Sequence, residues 1–221
     1  MNQSKRPFDE TSSEILDNAP CSIILPAGCG KTELVASLAA ATQERGSRTL
    51  VLTHTNAGVS TIRKRLDVFG ARSSTTVRTI DSWSRAKVHA YPKMSGLASH
   101  EEEDNGWSTV HIAARRQLNH EVLQGVIEAS YALIVVDEYQ DCSVTQHELV
   151  QALAKISPVV ILGDPMQSIY GFGDNELVDW QDVVEAFPQF QYPVEAWRWK
   201  RSNPELGVFL MKARNLSLIH I

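Results

Sequence analysis

Several short runs of this chain are apolar nearly from end to end: Cys21–Leu25 (CSIIL), Ala132–Val136 (ALIVV) and Val159–Leu162 (VVIL). A strand with one face in water alternates polar and apolar residues. A strand without a polar face must be covered on both sides, which points to a parallel sheet between layers of helix. Thr49–Thr53 and Thr75–Thr79 read as further strands, and Phe190–Val194 as a weaker one. Between them, Val59, Ile62, Leu66 and Phe69 recur at spacings of three, four and three, one apolar helix face over Asn56–Phe69, with Lys64 pointing away. Leu149, Leu153 and Ile156 repeat the pattern, and Pro158 marks the exit to the next strand. The expectation is an α/β domain with a central, mostly parallel sheet flanked by helices.

The chain is 221 residues long, 43% hydrophobic and 21% charged, which suits one sizeable globular domain with an appendage and excludes a disordered chain. Its net charge of −5 excludes a globally basic coat for nucleic acid, so charge has to be read by region. Three cysteines without C-x-x-C spacing indicate neither a disulfide framework nor a zinc ribbon, and no apolar run is long enough for a signal peptide or a membrane span. A cytoplasmic protein is expected. Residues 1–19 read as an N-terminal tail. The stretch 92–105, PKMSGLASHEEEDN, reads as a solvated linker leading to a polar helix near Thr109–Ala129, so 92–130 is expected to be a small helical insertion between 20–91 and 131–215. The last six residues, LSLIHI, match the translation of an adapter used in preparing sequencing libraries; 216–221 are expected to be artefactual, with the natural protein continuing beyond.

The strand-like CSIIL is followed by Pro26-Ala27-Gly28-Cys29-Gly30-Lys31-Thr32 and a helical run. Backbone N–H groups from Ala27 to Gly30, at a helix N-terminus, are suited to cradle phosphates; Lys31 would reach the β and γ phosphates and Thr32 would ligate Mg²⁺. The usual pattern has glycine where this chain has Leu25. Cys29 reads as a small filler rather than a nucleophile. The strand ending in Asp137-Glu138-Tyr139-Gln140-Asp141 delivers acids suited to hold Mg²⁺ (Asp137) and to deprotonate an attacking water (Glu138). After the next strand, Gln167 is an uncharged group able to contact both water and γ-phosphate. Tyr170 and Phe172 are rings suited to bases or to the core. Residues 61–93 hold eight basic and two acidic residues, a local stripe suited either to a single strand of nucleic acid or to a solvated helix face.

In order, the blocks AGCGKT, THTNAG, RTIDSW, VVDEYQD, GDPMQSIYGF and EAWRWKRSNPEL resemble motifs I, Ia, Ib, II, III and IV of the first RecA-like ATPase domain of UvrD/Rep-type superfamily 1 DNA helicases. The resemblance runs from about residue 20 to 214 and implies a RecA-like P-loop NTPase fold with ATP and Mg²⁺ as ligands. It also implies that Lys31 and Thr32 bind phosphates and metal, Asp137 binds Mg²⁺, Glu138 is the general base and Gln167 senses the γ-phosphate. Arg198 falls where the family has an arginine on the γ-phosphate, with Arg201 close beside it. Trp197 stands for the usual tyrosine, an adenine platform or a core aromatic.

On the DNA side the resemblance implicates Thr55, Asn56, Thr79 and Trp83, to which the basic stripe adds Arg63 and the ring chemistry adds Tyr170 and Phe172. Three departures stand out: no adenine-reading glutamine between Phe8 and Pro20, Asp81 where a histidine is common, and a short insertion. Motifs V and VI and the second RecA-like domain are missing. The implied function is an ATP-dependent 3′-to-5′ helicase or translocase on single-stranded DNA, of which this chain is the first ATPase domain, binding Mg-ATP but unwinding little alone. The alternatives are a non-motor nucleotide-binding regulatory or interaction module, or the N-terminal part of a helicase-nuclease.

Overall fold

A computed structural model describes residues 9–97, 106–168, 176–200 and 202–219 of the chain. Helix α1 (Asp9–Asp17) leads to strand β1 (Cys21–Ile24). Then follow α2 (Lys31–Glu44), β2 (Thr49–Thr53), α3 (Asn56–Phe69), β3 (Thr75–Thr79), α4 (Ile80–Ala90) and the short α5 (Pro92–Ser95). Beyond the linker come α6 (Gly106–Gln117), α7 (Glu121–Ser130), β4 (Leu133–Val136), α8 (Val144–Ala154), β5 (Val159–Gly163), α9 (Trp180–Ala186), α10 (Trp197–Lys200) and α11 (Pro204–Ile219). The sheet order is β1-β5-β4-β2-β3 and every pairing is parallel. The α/β class read from the apolar strands is the observed one.

All residues of β2, β4 and β5 are buried, because the sheet carries a core on each face. On one side Leu50, Leu52, Ile134, Val136 and Ile161 meet α4, α6, α8 and Phe187; on the other Ile23, Val51, Val135 and Leu162 meet α2 and α3. The predicted face of α3 holds, with Val59, Ile62 and Leu66 buried and Lys64 exposed. Local chemistry fixes the helix starts. Thr55 caps α3 by accepting from the Gly58 N–H, Thr79 caps α4 through Ser82, and Ser143 with Gln146 forms a capping box on α8.

Two expectations are corrected. Phe190–Val194 is not a strand: this segment meets β1 only through a single bridge, Ser22 to Gln189, and the Phe190 N–H donating to the Ser22 carbonyl. Pro188 precedes it and Pro193 lies within it, and a proline cannot donate to a ladder. The single polar helix expected near Thr109–Ala129 is two, α6 and α7, broken at 118–120, where the Gln124 side chain donates to the Leu118 carbonyl. Val110, Ala113 and Ala114 of α6 are buried in the same core as the sheet, so 106–130 packs onto the domain itself. Ile134→Ala, which empties a fully buried site in β4, is expected to destabilise the chain by about 2–5 kcal/mol in urea unfolding.

Candidate nucleotide site

Because the strands are parallel, β1, β4 and β5 all end at the same edge of the sheet, where α/β proteins place their ligands. The loop after β1 turns sharply through Gly28 (φ 76°) and Gly30 (φ 94°), both left-handed, and delivers Lys31 as the first residue of α2. A Cβ on Gly28 would sit 3.0 Å from both the Arg198 Cβ and the Trp199 ring, and the Arg198 N–H donates to the Gly28 carbonyl (3.0 Å). The α10 segment therefore lies directly against the loop. Lys31, Thr32, Glu138, Gln167, Trp197 and Arg198 line one cavity of 810 Å³ together with Ala27, Gly28 and Gly30. The loop, acid, glutamine and arginine assignments drawn from separate stretches of sequence thus converge on one space.

A chain of polar contacts crosses the cavity floor. Lys31 forms an ion pair with Glu138, and Gln140 donates to the same carboxylate oxygen (3.0 Å). The Gln140 side-chain oxygen accepts from the Asp164 N–H (3.0 Å); Asp164, fully buried, in turn accepts from Gln167 and from both terminal nitrogens of Arg214 on α11. Glu138 holds a left-handed conformation (φ 55°), uncommon for a residue with a Cβ, which turns its side chain off the end of β4. Asp137, 5% exposed, has a carboxylate oxygen with no hydrogen-bond partner. Burial, reinforced by the Glu138 charge, pushes the Asp137 carboxyl up to about 6. A buried oxygen left without a donor next to a phosphate-type loop is what a divalent cation would satisfy, so the residues fit Mg²⁺.

The cysteines are chemically quiet: burial pushes the Cys29 thiol up, Cys21 to about 11, and Cys142 well above the usual range. Asp164, Gln140 and Arg214 were not singled out by the sequence reading. Nothing in the local sequence tells that an arginine fifty residues beyond Asp164 returns to pair with it.

The residues expected on a DNA strand divide. Thr55 and Asn56, exposed at the start of α3, and Thr79 at the start of α4 lie beyond the C-terminal ends of β2 and β3. Asn56 and Thr79 line a second cavity of 450 Å³ with His54, Asp81, Arg85 and Trp107. Trp83 is corrected: it shares the buried face of α4 with Ile80, Ser84 and Val88, and at 2% exposure it is core rather than a stacking ring. The indole at this cavity is Trp107, stacked under the Arg85 guanidinium at 4.4 Å, which the sequence reading passed over at the end of the linker. Arg63 lies away from this group, two turns along α3, donating to the Val77 carbonyl of β3 (3.0 Å). Tyr170, Phe172 and Arg201 lie outside the described residues. Asp81 accepts from His111 (2.8 Å) and from Gln146 (3.0 Å); burial raises its carboxyl, and these bonds outweigh burial to hold it below the ordinary value.

A family model for the AAA domain matches residues 9–173, about three quarters of the chain. The chain belongs to the AAA domain family. It is also similar, at 46% identity over 55 residues, to the ATP-dependent DNA helicase srs2 of Schizosaccharomyces pombe. That stretch is 24% of this chain and only 6% of the relative's length. With the parallel sheet and the ordered motif blocks, these matches bear out the resemblance to UvrD/Rep-type helicases: the chain carries a helicase-type ATPase domain. No described helix is long and apolar enough to cross a membrane.

Two outcomes are expected. Burial lowers the His54 imidazole to about 4, from an unfolded value near 6.5, so the fold excludes a proton that the unfolded chain binds. Stability is complete above pH 6.5 and falls as pH drops toward 4, by up to roughly 3 kcal/mol. Comparing melting temperatures of the chain and of His54→Gln across that window checks it. Arg214→Ala leaves the Asp164 charge buried without its cation and should cost about 3 kcal/mol or more by urea unfolding.

Proposed function

We propose that this domain binds and hydrolyses Mg-ATP as the first ATPase domain of a DNA helicase or translocase that moves on single-stranded DNA. The reading rests on one observation, the convergence of Lys31, Thr32, Glu138, Gln167 and Arg198 on a single cavity beside the partnerless Asp137 oxygen. The glycine loop offers backbone N–H groups to the phosphates, and Lys31 moves from Glu138 to the more highly charged β and γ phosphates. Glu138, so released, is free to take a proton from the attacking water. Thr32 and Asp137 would hold Mg²⁺, which supplies charge neutralisation at the phosphates. Gln167, tethered through Asp164, orients the water against the γ-phosphate, and Arg198 meets the charge that develops there. Trp197 offers its ring to the adenine.

On the DNA side, Thr55, Asn56 and Thr79 contact the strand's backbone at the C-terminal ends of β2 and β3. The 3′-to-5′ direction is carried by the family resemblance. Stepping requires a second ATPase domain that closes on the same nucleotide, so the 221-residue chain alone is expected to bind nucleotide and hydrolyse it slowly, with little unwinding.

The test is a pair of substitutions. Glu138→Gln should keep Mg-ATP affinity, measured by titration with a fluorescent analogue, while turnover falls by about two orders of magnitude or more; Lys31→Ala should lose the affinity itself. Unchanged turnover in Glu138→Gln would refute the assignment of the base.

A further inference from the structure

A second concentration of charge lies along the open edge of the sheet, where α3 and the loop after it flank β3. A cavity of 630 Å³ there is lined by Arg48, Arg63, Arg72 and Arg78, with Asp67 the one acid among the lining residues. Among the described residues β3 pairs only with β2, and the Ser74 carbonyl faces that partner, so the Thr75 and Val77 carbonyls face outward. Arg72 donates to the first (3.4 Å) and Arg63 to the second (3.0 Å). These bonds do two things. They cover the edge against another strand, and they fix two guanidiniums with a neutral acceptor that leaves both positive charges and most of their donors available.

Among the described residues none of the four arginines is in an ion pair, whereas Arg45, Arg65, Arg115 and Arg214 each have a carboxylate. A chain with net charge −5 thus keeps four uncompensated guanidiniums together. Arg48 precedes β2 and Arg72 precedes β3, so the cluster extends to the N-terminal ends of the strands, away from Thr55, Asn56 and Thr79.

We propose that this arginine-lined edge is a second binding site for phosphates, occupied by the sugar-phosphate backbone of a nucleic acid. The guanidinium fork matches phosphate oxygens. Arg48, Arg63 and Arg78 are exposed rather than gathered into an enclosed hole. That arrangement holds a single compact ion weakly, but it gains with each successive phosphate of a polymer as counterions are released. The proposal does not depend on ATP hydrolysis and stands apart from the strand-end contacts.

The experiment measures binding of a fluorescein-labelled oligothymidylate to the 221-residue chain by anisotropy across a salt titration. The double substitution Arg48→Glu/Arg78→Glu is compared with Asn56→Ala, and folding is checked by circular dichroism. Arg48 and Arg78 are chosen because neither side chain has a hydrogen bond to the fold among the described residues; Arg48→Gln/Arg78→Gln replaces the reversal if that variant fails to fold. The expected result is at least about a tenfold loss of affinity, with the slope of log K against log salt flattened by about 1.4, the value for two lost phosphate contacts on a single strand. Asn56→Ala should weaken binding without flattening the slope, and Mg-nucleotide binding should be unchanged in the arginine variant. An unaltered slope and affinity in the arginine variant would overturn the proposal while leaving the strand-end contacts standing if Asn56→Ala weakens binding. No oligothymidylate binding by any form would overturn both. Saturable binding of inorganic phosphate as tight as that of the oligonucleotide would assign the edge to a small free anion and overturn the nucleic-acid source.

Discussion

The parallel ladder sets the terms for the rest of this molecule. Ile24 lies in register with Gly163, and Ile161 with Val136, so β1, β5 and β4 stop together and hand their following residues to one edge. Parallel strands need a crossover between each pair, and those crossovers place helices over both faces, leaving the rims of the sheet for polar work. The phosphate-type loop, the acid pair and the Gly163–Gln167 turn are neighbours in space for that reason alone. The loop comes from a stretch of sequence more than a hundred residues before the other two.

Convergence of that kind concentrates ionisable groups in a poorly hydrated place, and the structure resolves the conflict by pairing. Lys31 neutralises Glu138 and Arg214 neutralises Asp164, and the Gln140 amide links the two residues by donating to the Glu138 carboxylate and accepting from the Asp164 backbone N–H. Breaking any one contact exposes a buried charge, so the network ties α2, β4, β5 and α11 more firmly than an equal number of surface pairs would. Asp137 is left with one carboxylate oxygen unsatisfied, and its burial beside the Glu138 charge appears in its raised proton affinity.

Much of this was legible in the sequence because it depends on periodicity and on local order. Apolar runs without alternation announced buried parallel strands, and Val59, Ile62 and Leu66 announced the inward face of α3. Lys31, Thr32, Asp137, Glu138 and Gln167 were legible because each follows closely on a strand end, whereas Trp197 and Arg198 were legible through the motif block alone. What stayed hidden depends on long-range packing. Trp83 and Trp107 are the same residue type, yet one is core and the other borders a cavity; the difference lies in how α6 docks on α4, which no local pattern encodes. Arg63 belongs in sequence to the basic stripe of 61–93, but two turns of helix separate it from Asn56 and carry it to the sheet edge. The break between α6 and α7 was missed because the segment keeps its helical composition straight through it.

Gly28 is held by two separate conditions: its backbone is left-handed, and the space where a side chain would begin is taken by Arg198 and Trp199. A Cβ on Gly30, also left-handed, would likewise meet the Trp197 ring at 3.3 Å. The tryptophan-rich turn and the glycine loop therefore cannot drift independently over evolutionary time. A lineage that enlarged residue 28 would have to withdraw the 197–199 segment from the loop, and one that altered that segment would lift the steric ban on a side chain at 28 while the backbone ban remained. Across related chains, loss of the bulky residues at 197 and 199 should precede any relaxation of the loop glycines, an ordering that makes this contact visible in sequence histories.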